Sequence, residues 1–132
     1  MRKSSAVVLG SAAAACLLAA TLVSAQQGFT RKIVQQSDTS VPGRDVVTVV
    51  ADVEANGSSG RHTHPGDEVS YVAQGPVVLE VDGQPARTLQ TGEAFIVKQG
   101  IVHNAKGNGS VAGKIIANFF VEKGKPVTTP AP

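Results

Sequence analysis

Short runs of β-branched and aromatic residues recur along the chain, with turn-forming residues between them. The runs occupy residues 46–53, 69–72, 77–81, 94–97 and 115–121. Glycine, proline and asparagine are concentrated in the intervening segments. Strands of this length, at regular spacing and separated by turn signals, indicate an all-β sandwich or barrel. We find no convincing amphipathic helix after residue 25, and we expect one further strand around residues 32–35, followed by a loop.

The dipeptide Asp82-Gly83 gives the clearest hairpin signal in the chain. It separates the apolar residues 79–81 from the segment 84–89. A two-residue type I′ turn needs positive φ at both central positions, which Asp and Gly tolerate better than most residues. The sequence therefore predicts a type I′ hairpin at this point.

The first 25 residues have the layout of a secretory signal peptide. Arg2 and Lys3 precede an apolar run over residues 6–23, and the small residues that follow fit cleavage after Ala25. An uncleaved membrane anchor is the alternative, although the alanine-rich run is only weakly hydrophobic. We therefore expect a periplasmic or secreted protein without a stable membrane anchor after cleavage. The predicted divisions are a signal peptide 1–25, an N-terminal strand and loop 26–45, a barrel 46–123 and a flexible tail 124–132.

Removal of this leader changes the charge balance. The chain has 12 Lys and Arg against 10 Asp and Glu, and the loss of Arg2 and Lys3 leaves equal numbers. A near-neutral domain lacks the clustered basic face that nucleic-acid binding requires, so we expect no nucleic-acid partner. The single cysteine, Cys16, lies within the leader. Without disulfides, the exported domain depends on its core, its sheet and any bound metal.

All three histidines of the chain lie in two short stretches with the spacing of a metal site. His62 and His64 are two residues apart, so on an extended strand they share one face. Glu68 follows at an even spacing after a Pro-Gly pair, and His103 must arrive from another strand. Imidazole and carboxylate together suit iron, manganese, cobalt, nickel, copper or zinc, and four protein ligands leave one or two positions open. Ordinary surface or capping histidines are the alternative.

These residues and the glycines around them resemble the two sequence motifs of small single-domain cupins. The first motif is His-x-His, then Glu, then Gly, and it is matched by His62, His64, Glu68 and Gly75. The second is matched in part by Gly92, Gly100 and His103. The resemblance covers roughly residues 46–123. It implies a jelly-roll barrel, also called a double-stranded β-helix, and it implies one divalent transition metal held by His62, His64, Glu68 and His103.

Three positions depart from the cupin motifs. Asn56 stands where the family has a glycine, Lys98 where it has a proline, and Gly107 where it has an asparagine. None of these is a metal ligand in the family. We interpret Lys98 as a solvated turn residue, with a substrate-binding cation at the mouth of the barrel as the alternative.

Strand alternation predicts which side chains share the pocket with the metal. Tyr71 should point away from it, and Asn104 either makes a hydrogen bond to a ligand or caps a strand. The residues expected to face the pocket are Ser70, Val72, Ile101 and Ala105. The aromatic residues Phe95, Phe119 and Phe120 are expected to pack in the core, with closure of the pocket as the alternative. The predicted pocket is therefore small and largely apolar.

Cupins with this ligand pattern include quercetinase-type dioxygenases, decarboxylases, isomerases and binding modules, so the resemblance does not fix the activity. We predict a metal-dependent, dioxygenase-like oxidoreductase that acts on a small oxygenated or aromatic molecule, without assigning catalytic residues. The alternative is a non-catalytic module of the cell envelope that binds a metal or a small ligand. A homodimer is a further expectation, because cupin barrels commonly pair through an edge strand.

Overall fold

The computed structural model describes residues 26–132, and every regular element within that range is a β-strand. The predicted signal peptide lies outside the described residues. Within them, no helix has the length and hydropathy needed to cross a membrane. The ten strands are β1 (Gln27–Asp38), β2 (Arg44–Ser58), β3 (His62–Thr63), β4 (Gly66–Gln74), β5 (Val77–Val81), β6 (Arg87–Leu89), β7 (Ala94–Val97), β8 (His103–Gly107), β9 (Gly113–Glu122) and β10 (Thr129–Pro130).

The strands form a nearly closed antiparallel barrel with two facing sides. One side has the order β1-β2-β9-β4-β7, and the other contains β6, β5, β8, β3 and β10. The long strand β2 connects them, because it pairs with β9 over residues 44–53 and then meets β8 at Ser58. This arrangement is the double-stranded β-helix that the resemblance to cupins implies.

The core lies between the two sides and is filled by alternating residues of the long strands. On β2, every second residue from Val47 to Val53 is at most 4% exposed. The facing residues of β9 are Ile115, Ala117, Phe119 and Val121, which are also buried. β-branched residues suit this position because their stiff side chains pack well on a pleated surface. Full burial of one such side chain contributes roughly 1.5–3 kcal/mol.

The apolar runs predicted the position of these strands better than their length. Two strands, β5 and β7, have the predicted bounds, whereas β2, β4 and β9 extend beyond them. The largest difference is β1, which spans twelve residues where four were expected. β1 is mostly exposed on both faces and pairs along β2. Backbone hydrogen bonds to β2, rather than burial of side chains, hold β1 in place. Its polar sequence therefore shows little alternation between apolar and polar residues.

The hairpin between β5 and β6 is present, but its turn differs from the prediction. The amide of Gln84 donates to the carbonyl oxygen of Val81 at 3.0 Å, which closes a four-residue turn around Asp82-Gly83. Gly83 has φ of 78°, whereas no described residue other than glycine has positive φ. The type I′ prediction is therefore wrong, because it requires positive φ at both central residues. The first strand pair beyond the loop is Leu79 with Arg87, so the loop is also longer than two residues.

The segment after β9, predicted to be a flexible tail, folds back over the barrel in the structure. Its strand β10 pairs with β3, and the amide of Ala131 donates to the carbonyl oxygen of Arg61 at 2.9 Å. Val127 packs against the core. The Pro and Thr composition of the segment suggested fraying, but backbone pairing with β3 and the burial of one valine give it a defined position.

Candidate metal centre

The four predicted ligands meet inside the barrel, where its two sides face each other. His62 lies in β3 and His103 begins β8, and these two residues are register partners. His64 follows β3 directly, and Glu68 lies in β4. All four are at most 7% exposed. Side-chain nitrogens of the three histidines lie within 4.8 Å of one another, close enough for one ion to bind all three.

Each histidine uses its Nδ1 atom to make a hydrogen bond to a backbone carbonyl group. The pairs are His62 with Gly60 at 2.7 Å, His64 with Val127 at 2.6 Å and His103 with Ile101 at 3.0 Å. Because a carbonyl oxygen only accepts, each Nδ1 carries a proton and donates it. Neutral imidazole then presents a lone pair at Nε2. Partners of this kind fix the orientation and tautomer of metal-binding histidines.

The carboxylate of Glu68 lies against two of these rings. Its Oε2 atom is 3.0 Å from Nε2 of His103 and 3.2 Å from Nε2 of His64. Its Oε1 atom accepts a hydrogen bond from the hydroxyl group of Ser70. Burial alone would raise the pKa of Glu68, whereas a positive charge on the adjacent His103 and His64 rings, or on an ion held between them, lowers it well below its usual value. Glu68 is therefore ionised.

These contacts leave lone pairs facing one another in a buried space. Nε2 of His64 is buried and has no hydrogen-bond partner among the described residues, although it lies near Oε2 of Glu68. A neutral imidazole with its proton on Nδ1 cannot donate to that oxygen, so the two atoms repel unless a cation lies between them. Burial also lowers the pKa of His62 to about 4, which keeps this ring in the neutral form that binds metals. The donor set therefore fits a divalent transition metal.

The cavity beside the four side chains is small and largely apolar. Its volume is about 30 Å³, and its apolar walls include Leu79, Phe95, Ala105, Ile115 and Phe119. The Phe119 ring lies 4.4 Å from the His64 ring between centroids. Such walls leave room for little water beside the site, and Phe119 packs against the His64 ring.

Strand alternation predicted the pocket side of β4 correctly. Ser70 and Val72 are buried like Glu68, whereas Tyr71 is 48% exposed and points away. Two other predictions are wrong. Ile101 is 40% exposed because it precedes the start of β8, where alternation does not apply, and Phe120 is 44% exposed because it occupies the outer face of β9.

Lys98 and Asn104, for which the sequence allowed two interpretations each, have structural roles. Lys98 is exposed at the surface and its Nζ atom lies 2.8 Å from Asp67, as expected for a solvated turn lysine. The side chain of Asn104 makes no hydrogen bond to any of the four predicted ligands. Its side chain accepts hydrogen bonds from Ser58 and Ser59 and donates to Glu80, which ties the end of β2 to the β5-β8 pair.

Three residues near the site had no sequence signal. Phe29 and Arg31 of β1 line the cavity, and Val127 supplies the acceptor for His64. Their positions depend on the register of β1 against β2 and on the folding back of the segment after β9. No short motif encodes either feature.

A double-stranded β-helix with a buried three-histidine cluster defines a class of small barrel proteins. The sequence profile of the Cupin domain family matches residues 49–121, more than half of the chain. The protein therefore belongs to the cupin family.

Individual relatives are distant. Germin-like protein subfamily 2 member 2 of Arabidopsis thaliana is 29% identical over an alignment of 87 residues, and the match covers 60% of this chain and 40% of that protein. The structure of KdgF from Halomonas sp. has a TM-score of 0.60 and 26% identity, and the match covers 74% of this chain and 82% of that one. The polyketide cyclase RemF from Streptomyces resistomycificus has a TM-score of 0.64 and 21% identity, covering 81% and 73%.

Proposed function

We propose that this protein is a metal-dependent cupin that acts as a dioxygenase-like oxidoreductase on a small oxygenated or aromatic molecule. One observation carries the proposal, namely the convergence of three imidazole lone pairs and one carboxylate in a buried cavity. Every histidine of the chain belongs to this cluster, so none remains for a Ser-His-Asp arrangement. A transition metal bound there would supply redox or Lewis-acid chemistry at its open positions.

The protein's own residues would position the reactants and exclude water. The three backbone carbonyl groups keep each ring in the tautomer that presents Nε2 to the cavity. Glu68 places one negative charge beside the ion, and Ser70 holds that carboxylate in one orientation. The apolar walls would lower the local dielectric, which strengthens the electrostatic interaction between the Glu68 carboxylate and a cation held beside it.

The size of the cavity limits what can reach the ion. A benzene-sized molecule needs roughly 150 Å³ of enclosed space, whereas this cavity offers about 30 Å³. An aromatic ring would therefore stay outside the cavity, and only a small polar group of the substrate would enter it. A groove of about 390 Å³ shares two lining residues, Arg31 and Phe119, with the cavity and offers that space.

The same small cavity favours a second candidate function, a non-catalytic module of the cell envelope that binds a metal or a small ligand. Its walls carry few polar groups that could move a proton during a reaction. The two candidates differ in one measurable respect. An oxidoreductase consumes dioxygen in the presence of substrate, whereas a binding module holds its metal without turnover.

Export remains part of the proposal and rests on the sequence of the first 25 residues. A protein that acquires its metal outside the cytoplasm meets an affinity order that favours copper and zinc over iron and manganese. Mass spectrometry of the protein isolated from the envelope of a Gram-negative host tests this directly. A mature chain beginning at Gln26 supports export, and a full-length chain in the cytoplasm contradicts it.

The test of the metal site is elemental analysis of the purified protein beside a His62→Ala/His64→Ala double variant. Tyr71→Ala is the matched control, because Tyr71 lies on the outer face of the strand that carries Glu68. We expect near-stoichiometric metal in the wild type and the control, and none in the double variant. Dioxygen uptake with phenolic substrates then separates the enzyme from the binding module. Absence of bound metal in the wild type after exposure to each candidate ion would overturn the proposal.

A further inference from the structure

Arg31 lies at the boundary between the metal cavity and the outer groove. It projects from β1 and contributes to the lining of both spaces. The other residues of the groove used below, Ile33, Val49 and Val127, are apolar. Among the described residues, Arg31 is therefore the one charged residue that lines both spaces.

The guanidinium group is held in place but keeps free donors. Its Nη1 atom donates to the hydroxyl oxygen of Thr128 at 2.6 Å. None of the ion pairs among the described residues includes Arg31. Arg61 provides a contrast, because it binds Asp82 through two hydrogen bonds of 2.9 Å each. A guanidinium has five donors, so Arg31 retains donors for a bidentate anionic ligand.

The surroundings of Arg31 favour an anion. Arg31 is exposed as a residue, but partial burial of its guanidinium group lowers the pKa of that group from its usual value, and an arginine stays protonated in proteins. Glu68 is the one carboxylate among the cavity-lining residues of the described chain, and a divalent ion would more than offset its charge. The cavity and its mouth then carry a net positive charge inside low-dielectric walls, which concentrates anions.

We propose that Arg31 binds the carboxylate of the substrate, so that the ligand is a small organic acid whose apolar body lies in the groove formed by Ile33, Val49 and Val127. The proposal rests on the proposed function for the presence of the metal, but the contact with Arg31 does not require the ion. It narrows the small oxygenated molecule to a carboxylate with an apolar part.

A structural role is the competing explanation, because the hydrogen bond to Thr128 ties β1 to the segment after β9. The two roles predict different results. A structural Arg31 would change the free energy of unfolding and would treat charged and neutral ligands alike. A binding Arg31 would discriminate between a carboxylate and a neutral molecule of the same shape.

Calorimetric titration with benzoate and with benzamide tests the proposal. The ligands have nearly the same shape, and benzamide carries no charge. We would titrate the zinc-loaded wild type, Arg31→Gln, Arg31→Lys and Lys32→Gln. Lys32 is the matched control, since it is a neighbouring cation of the same strand that lines neither space. Circular dichroism and the unfolding midpoint confirm that each variant is folded.

We expect benzoate to bind the wild type and Lys32→Gln at least tenfold more tightly than benzamide, because charge-assisted hydrogen bonds are the strong ones. Arg31→Gln should lose this preference, and Arg31→Lys should keep part of it. Equal affinity for the two ligands, undetectable benzoate binding, or unchanged affinity in Arg31→Gln would each overturn the proposal. Repeating the titration in the His62→Ala/His64→Ala background separates the two proposals. A preference for benzoate that depends on Arg31 in this background would support the role of Arg31 even if the metal site fails its own test.

Discussion

The hydrogen bond between His64 and Val127 makes metal affinity dependent on a segment remote from the ligand motifs. The carbonyl oxygen of Val127 accepts the Nδ1 proton of His64 at 2.6 Å, sixty-three residues away along the chain. A chain that stops after Pro126 lacks this acceptor, whereas one that stops after Thr128 keeps it. We predict that the first truncation weakens metal binding and that the second leaves it nearly unchanged.

The magnitude follows from the burial of His64, which is 4% exposed. Removing the acceptor leaves a buried N–H group without a partner, which costs about 1–3 kcal/mol. The ring also becomes free to rotate or to change tautomer. Loss of the hydrogen-bond partner of a metal-binding histidine typically weakens metal affinity by roughly 10- to 100-fold. That factor corresponds to a free energy similar to the cost of the unpaired N–H group. We therefore expect the dissociation constant to rise by roughly that factor.

The assay is competition for zinc between the protein and a chromophoric chelator, with wild type and both truncated chains measured side by side. The chain ending at Thr128 controls for the loss of β10 and of its pairing with β3. Unfolding midpoints of the metal-free proteins separate a loss of affinity from a loss of fold. Equal affinity in all three chains, or equal weakening in both truncations, would refute the role assigned to the Val127 carbonyl group.

Three further predictions concern the support of the site and of the barrel. Ser70→Ala removes the donor to Glu68 and should weaken zinc binding about tenfold, whereas Val72→Ala, on the same buried face, should lower stability without that loss. In the metal-free protein, the free energy of unfolding measured in urea should fall as the pH decreases from 6.5 towards 4. The cause is that His62 takes up a proton in the unfolded state but not in the folded state. This residue lowers the free energy of unfolding by at most about 3 kcal/mol. Gly66→Ala should lower the free energy of unfolding, measured by urea denaturation, by about 3 kcal/mol or more. The Cβ of the alanine would collide with the backbone of β9.

Each of these predictions has a result that contradicts it. Equal zinc affinity in Ser70→Ala and wild type would remove the serine from the site. A pH dependence that is the same in a His62→Asn variant would assign it to other groups. Gly43→Ala is the comparison for Gly66→Ala, because Gly43 has φ of 75° but open space where its Cβ would lie. It should cost about 1 kcal/mol, and an equal cost at both positions would mean that the contact with β9 is relieved.

Sequence reasoning identified the barrel because the information for it is local. A strand with one buried face repeats every two residues, so Val47 to Val53 reveal β2 without knowledge of its partners. The same alternation placed Ser70 on the side of Glu68 and Tyr71 on the other. It failed at Ile101, which lies outside a strand. Phe120 was expected inside on its aromatic character alone, whereas the alternation of β9 puts it on the outer face.

The candidate ligands were also readable, since His62, His64, Glu68 and His103 stand at spacings that strands bring to one face. What the sequence left open was how these side chains are held. The carbonyl groups of Gly60, Val127 and Ile101 are backbone atoms, which every residue possesses, so no residue type marks them. Their positions, like that of Arg31 beside the cavity, follow from pairing between distant strands. The sequence alone thus determined the fold class and the four candidate ligands, because periodicity and motif spacing are local properties of the chain. The tertiary structure decided the tautomers, the size of the cavity and the cation at its mouth, because these depend on which distant backbone segments come into contact.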